Sequence, residues 1–326
     1  MRVIAGLGAG ALVRRPDQAI RGFIGGMQFA LPPRAFTMRH PRASDCPTHD
    51  LRSVRRHRPH DFVLTIRHDG LERQALVHLP RSFRPRRGLP VLFNFHGFTS
   101  DALEQAEYTQ MNRIAGEHGF AVVHPQGVHG LLGYRAWNAG AYFAKAMDRP
   151  VDDVGFVAAL MAELESAFRV REWFATGISN GGMQSYRLAH QLPGRFRANA
   201  PVAAVDLTEE PIPQQRIGVL HIHGLNDGLV PFHDRAFRVA SVLGGLGWKR
   251  GARASLLRFA HLHGQRDPEI KIIGTRRYEV WPTAQLVIHS GGHTWLGDAY
   301  KIERRMEAAV AEGSLEIVRF FLDHLP

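Results

Sequence analysis

Cysteine is nearly missing from this chain: Cys46 is the only one in 326 residues. No intramolecular disulfide, cysteine-based zinc site or Cys–His nucleophile can therefore be built in its body, and cysteine usage says nothing about redox compartment. Long apolar runs are missing too. None nears the roughly 20 residues that cross a bilayer, which argues against a helical membrane span. Residues 60–326 show no internal repeat and no low-complexity linker, so a single domain is expected there. Acidic residues are scarce only at the front. Residues 1–90 carry 17 Lys+Arg against 6 Asp+Glu, the whole of the +11 net charge, while residues 91–326 carry 24 of each sign. A basic body suited to nucleic acid is thereby excluded, and any anionic partner would meet an arm.

Residues 1–58 hold no sustained helical or strand period and are rich in Arg, Pro and Gly, so they read as a basic, disordered extension ahead of a domain at 59–326. Arg2 precedes an apolar stretch from Val3 to Val13, but glycines dilute it and Arg14-Arg15-Pro16 follows without a small-x-small site. This is a weak export signal. Met27 and Met38 are further candidate starts.

What is present from Phe62 onward is an alternation of short apolar runs and amphipathic stretches. Phe62–Arg67 and Gln74–Leu79 flank the turn His68-Asp69-Gly70 and predict a hairpin. Leu89–Phe95, Phe120–His124, Trp173–Gly177, Asn199–Val205, Ile217–Ile222, Tyr278–Trp281 and Gln285–His289 read as strands. Between them, Leu103, Ala106, Met111 and Ile114 share one face of a predicted helix. Val157, Leu160, Met161, Leu164 and Phe168 share another, with Asp152 or Asp153 suited to cap it. Further helices are expected at Gly182–Gln191, around Phe232–Leu243 and at Leu315–Leu322, while 126–150 and 262–275 read as loop excursions. Strands alternating with helices imply an α/β fold with a mostly parallel central sheet covered on both faces.

Gly177-Ile178-Ser179-Asn180-Gly181 fits G-x-S-x-G, and it falls between a predicted strand and a predicted helix. That context, more than the short motif, points to a nucleophile elbow with Ser179 at its tip. A serine hydroxyl needs a base to take its proton. The expected chain order then selects Asp227, in the loop after Ile217–Ile222, and His293, in the loop after Gln285–His289; Asp206 and Asp234 are rival acids. Oxyanion donors are expected from the backbone N–H of Asn180 and of Phe98, the latter in the loop that opens His96-Gly97. His96, Trp137 and Trp295 are candidate substrate contacts. His221 and His223 have strand spacing for one face, yet no third metal ligand is evident, so a packed or hydrogen-bonded role is expected and no metal is assigned.

The same stretches, in order from about residue 74 to 323, resemble the polyhydroxybutyrate-depolymerase-like esterases, which overlap with feruloyl esterases. The resemblance is carried by His96-Gly97, Trp137-Asn138-Ala139-Gly140, Val151-Asp152-Asp153-Val154-Gly155-Phe156, Ala175 through Met183, His221-Ile222-His223-Gly224 leading to Asp227, and Gly291-Gly292-His293-Thr294-Trp295. It implies an α/β-hydrolase fold, hydrolysis of short-acyl or hydroxyacyl esters, no cofactor, the triad Ser179, Asp227 and His293, and a preference for secretion. Feruloyl or acetyl-xylan esterase activity is the nearby alternative, and a non-catalytic ligand-binding protein on the same fold is the alternative of another class. Members often carry a cysteine pair shortly after the Trp-Asn-Ala-Gly stretch. Tyr142 and Phe143 stand about there instead, so that loop is not disulfide-tied.

Overall fold

The structure is a computed structural model, and it describes residues 60–130, 133–140, 151–212, 217–234, 250–262, 267–296 and 303–326, with side chains in the last stretch from residue 308. The extension predicted at 1–58, Tyr142, Phe143 and most of the helix predicted around Phe232–Leu243 lie outside those residues. No described helix is long and apolar enough to cross a membrane.

The first described element is a hairpin of β1 (Asp61–His68) and β2 (Leu71–His78). Asp69 and Gly70 both take positive φ, 50° and 71°, as a two-residue turn of the type favoured between twisted strands requires. Then come β3 (Leu89–Phe95), α1 (Ala102–Thr109), α2 (Met111–Glu117), β4 (Ala121–Pro125) and a small side ribbon, β5 (Val128–His129) with β6 (Arg135–Ala136). The second half runs α3 (Asp153–Ala167), β7 (Val170–Ile178), α4 (Asn180–Gln191), β8 (Ala198–Val202), β9 (Gly218–Gly224), α5 (Ala252–His261), β10 (Glu269–Ile273), β11 (Arg276–Val280), β12 (Ala284–His289) and α6 (Glu303–Leu322).

Ten strands form one sheet in the order β1-β2-β4-β3-β7-β8-β9-β12-β11-β10, parallel from β4 to β12 and antiparallel at both margins. The pleat explains the continuous apolar runs. Along β3, Val91, Phe93 and Phe95 join one core and Leu92 the other; along β7, Trp173 and Ala175 face one core and Phe174 the opposite one. The first core includes Val157, Leu160 and Met161 of α3 with Met183 and Tyr186 of α4. The second includes Met111 and Ile114 of α2 with Ile317, Val318 and Phe321 of α6. From β3 the chain turns outward to β4, then returns on the other side of β3 as β7. The adjacent carboxyl ends of β3 and β7 are therefore a topological switch point, where such sheets leave a crevice for ligands.

Two predicted elements differ from what is seen, and others were not predicted. The helix through Leu103 and Ile114 is two helices, broken at Gln110, whose φ is 53°. Thr109 causes the stop: its hydroxyl donates to Gln105 O and accepts from Asn94, and its carbonyl accepts from Ser314 Oγ at 2.6 Å. Leu103 accordingly sits outside the core, 38% exposed. The strand predicted to reach Val205 ends at Val202, because Ala203 turns to φ 46°. Helix α5 and strand β10 were not foreseen; the latter lies in a stretch read as a loop excursion.

Candidate active site

Ser179 follows β7 directly and serves as N-cap of α4, with φ 56° and ψ −123°. A non-glycine residue there is strained and is held only by its surroundings. The glycines around it are sterically required. A Cβ on Gly177 would lie 2.7 Å from Gly181 carbonyl atoms and from Phe95 O; one on Gly181 would run into Phe95 O and His96 O; one on Gly182 would meet Ala204 Cβ at 2.7 Å. The turn is thus wedged between β3 and the segment after β8. Ser179 N–H donates to Val202 O at 2.9 Å, which fixes the elbow from its other side.

The loop after β3 lies against this serine. A Cβ on Gly97 would be 3.7 Å from Ser179 Cβ, so the backbone at Gly97 runs beside Ser179. Trp137 ties the two loops together. Its indole N–H donates to His96 O at 3.0 Å, its backbone N–H donates to Asn180 Oδ1 at 2.7 Å, and its carbonyl accepts from Asn180 Nδ2 at 3.0 Å. Behind it, Asn138 N–H donates to Asp153 Oδ2 at 2.7 Å, and Arg73 donates to Asp153 Oδ1 at 2.7 Å while lying over the Phe156 ring at 3.9 Å. Asp152, not Asp153, caps α3, accepting from Gly155 N–H. Burial raises the Asp153 carboxyl against the opposing pull of Arg73.

Asp227 and His293 come from the loops after β9 and β12, neighbouring parallel strands. Backbone bonds lace the loops together: Leu225 N–H to His289 O at 2.8 Å and Asn226 N–H to Gly291 O at 3.1 Å. Any side chain at Gly224 would strike the Gly291 and Gly292 carbonyls. This packing sets His293 Nδ1 2.8 Å from Asp227 Oδ2, while Asp227 Oδ1 accepts from the Leu229 and Val230 amides, both at 2.8 Å. Burial would raise the Asp227 carboxyl, but His293, His223 and the Val230 amide outweigh it and hold the group below its ordinary range. On the far side of its ring, His293 Nε2 is buried and makes no hydrogen bond among the described residues. Asp227 fixes the ring by Nδ1, leaving Nε2 as the atom able to accept a proton. No hydrogen bond joins Ser179 Oγ to that nitrogen.

Both rival acids are occupied elsewhere. Asp206 binds His190 at 3.0 Å, the Thr208 amide and Arg258, and Asp234 accepts from Gly251 N–H at 2.7 Å. The three expected substrate contacts need correction. His96 is buried behind the oxyanion loop, donating from Nδ1 to Gly97 O and accepting from Gly127 N–H at Nε2; burial first of all lowers its pKa to about 4. Trp137 and Trp295 are 0% exposed, the latter donating to Ser314 Oγ at 3.0 Å. An indole with both faces enclosed cannot wall a substrate, so these residues shape the site from behind. Reading the sequence had missed the Asn180 side chain and the Arg73–Asp153 pair; the latter are 80 residues apart, and nothing local signals it. Among the described residues, no group of three His, Cys, Asp or Glu side chains could hold a metal.

The sheet order, the serine at a positive-φ elbow on the switch point and the Asp–His pair on later parallel strands define an α/β-hydrolase. The chain belongs to the Esterase family, whose profile matches residues 70–241, just over half of its length. It is 24% identical over 168 residues to the bifunctional acetylxylan esterase/xylanase XynS20E of Neocallimastix patriciarum, covering 51% of this chain and 23% of that protein. It is also 24% identical over 225 residues to a poly(3-hydroxyoctanoate) depolymerase of Pseudomonas fluorescens, covering 59% and 80% respectively. The chain thus spans about a quarter of the length of the first of these relatives. Among solved structures, an acetyl xylan esterase from Aspergillus awamori superposes with a TM-score of 0.55 at 13% identity, over 77% of this chain and 99% of that one. That likeness speaks to the fold.

Proposed function

We propose that this chain hydrolyses short-acyl or hydroxyacyl esters through an acyl-enzyme, with residues 59–326 as the catalytic unit. Ser179 Oγ attacks the ester carbonyl and its proton passes to His293 Nε2, held in the right tautomer by Asp227. The tetrahedral oxyanion is stabilised by the backbone N–H groups of Asn180 and Phe98. Collapse breaks the bond to the alcohol, which leaves with the proton from His293; water then attacks the acyl group by the same route and restores the serine. The observation that carries this reading is the convergence at one sheet edge of a strained serine, an adjacent glycine loop and a His–Asp pair bonded at 2.8 Å.

p-Nitrophenyl acetate or butyrate should be turned over, and a fluorophosphonate should label the protein. Ser179→Ala should abolish both; undiminished turnover in that variant would refute the assignment, as would a wild-type protein that neither turns over esters nor labels, which would leave a binding protein on this fold. A second reading, hydrolysis of feruloyl or acetyl-xylan esters, draws on the acetylxylan esterase relative. Methyl ferulate and acetylated xylan, assayed beside a hydroxybutyrate oligomer, separate the two by kcat/KM.

A further inference from the structure

Behind Asp227 lies a row of buried polar rings that the proposed chemistry does not use. Tyr186 of α4 places its hydroxyl 2.6 Å from His221 Nδ1, His221 Nε2 is 3.0 Å from His223 Nδ1, and His223 Nε2 is 3.1 Å from Val230 O and 3.4 Å from Asp227 Oδ2. All three side chains are fully buried. The direction of every proton in this row follows from its ends. His223 Nε2 faces a carbonyl and a carboxylate, neither of which can donate, so it must carry hydrogen. Burial lowers the pKa of His223, against the pull of Asp227 and Val230 O, and lowers that of His221 more strongly, which favours two neutral rings. His223 Nδ1 is then a bare acceptor, and His221 Nε2 must donate to it. His221 Nδ1 is bare in turn and takes the tyrosine proton; burial holds the Tyr186 phenol protonated.

We propose that Tyr186, His221 and His223 are positioning residues, a one-way chain of hydrogen bonds that ends on Val230 O and holds the His223 N–H beside Asp227 Oδ2, 3.4 Å away, thereby setting how strongly that oxygen holds His293. The inference rests on the triad reading above. Oδ2 is shared: it takes His293 Nδ1 at 2.8 Å and faces His223 Nε2 at 3.4 Å. The positive end of the His223 N–H dipole beside the oxygen stabilises its charge and weakens its grip on an imidazolium, so removing that N–H makes His293 a stronger base. The other charged and titratable groups facing the row are Asp206 and Arg258, which act on Tyr186, and His190, bonded to Asp206.

Three variants test this on the full chain. His223→Leu removes the donor, His223→Gln keeps an N–H at the place of Nε2, and Tyr186→Phe deletes only the hydroxyl while keeping the ring stacked on Phe259 at 5.4 Å. In His223→Leu the acid limb of the kcat/KM–pH profile should move to higher pH, giving a loss of ~10-fold at pH 6 and a smaller one at pH 8. His223→Gln should restore the limb. Tyr186→Phe should shift it in the same direction by less, because His223 Nε2 keeps its proton but the row loses the hydroxyl that polarises His221 and, through it, the His223 N–H. A variant that lost packing alone would lower activity by the same factor at every pH. If His223→Leu does not fold, Tyr186→Phe decides the matter alone. A wild-type acid limb in folded Tyr186→Phe, or in folded His223→Leu, overturns the proposal while fluorophosphonate labelling still stands; labelling that survives Ser179→Ala overturns the triad reading instead.

Discussion

The two halves of the site are held by different physics. On the proposed nucleophile side, the loops after β3 and β7 are packed backbone against backbone: Gly177, Gly181 and Gly182 leave no room for a methyl group, and Ser179 is pressed into a strained conformation between them, with Trp137 and Asn180 adding hydrogen bonds between the loops. On the acid–base side, Asp227 and His293 are held by buried polar groups, with Asp227 taking two amides and one imidazole and a second imidazole nearby. The first half is specified by shape and fails when volume is added. The second is specified by donors and acceptors and fails when a proton is moved, even if every atom keeps its place.

The comparison can be broken most sharply at Asp227. Asp227→Asn keeps the size of the side chain but can turn an N–H toward His293 Nδ1, favouring the wrong tautomer. It should lower kcat by up to ~10⁴ while circular dichroism and the unfolding temperature change little. A near-normal rate would hand the role to another acid. Gly181→Ala tests the opposite half. Its methyl would run into Phe95 O and His96 O, so β3 and α4 must part. Activity should fall ~10²–10³-fold, the scale of losing an oxyanion donor, together with a drop of several degrees in unfolding temperature. If the rate falls and stability does not, the steric account of that half is wrong.

A smaller effect should appear at Glu104, which accepts from Ser100 Oγ at 2.9 Å just beyond the oxyanion loop. Its pKa is pushed up to about 7, first by burial and then by the neighbouring Asp101 charge. The native state therefore holds this proton more tightly than the unfolded chain does. The stability that the proton supplies is lost as pH rises from the ordinary carboxylate range toward 7. Glu104→Gln should flatten that decline, with an unfolding temperature that gains more at pH 8 than at pH 5; equal gains at both would remove the titration from the explanation.

Much of this fold was legible in the residues because the buried strands are short, apolar and bounded by glycine or proline. Leu89–Phe95 coincides with β3 residue for residue. Strand β10 escaped because all five of its residues are exposed, Ile272 by 66%, so neither face leaves an alternating pattern; backbone pairing to β11 is what holds it. Helix α5 had a signal that went unread: Ala252, Leu256, Phe259 and Ala260 recur at helical spacing and are all buried. Trp137 and Trp295 misled for a different reason. Closeness in sequence to His293 says nothing about which way the Trp295 indole faces, and both rings turn into the core.

By itself, the order of residues determined the strand–helix alternation and the need for small residues around Ser179, since each depends on local sterics or on spacing. Only the tertiary structure decided which acid meets His293, that Arg73 and Asp153 hold the backbone beside Trp137, and that Tyr186, His221 and His223 form a row beside Asp227. Those contacts join side chains up to 80 residues apart, and their energies depend on burial, which no stretch of sequence can set alone.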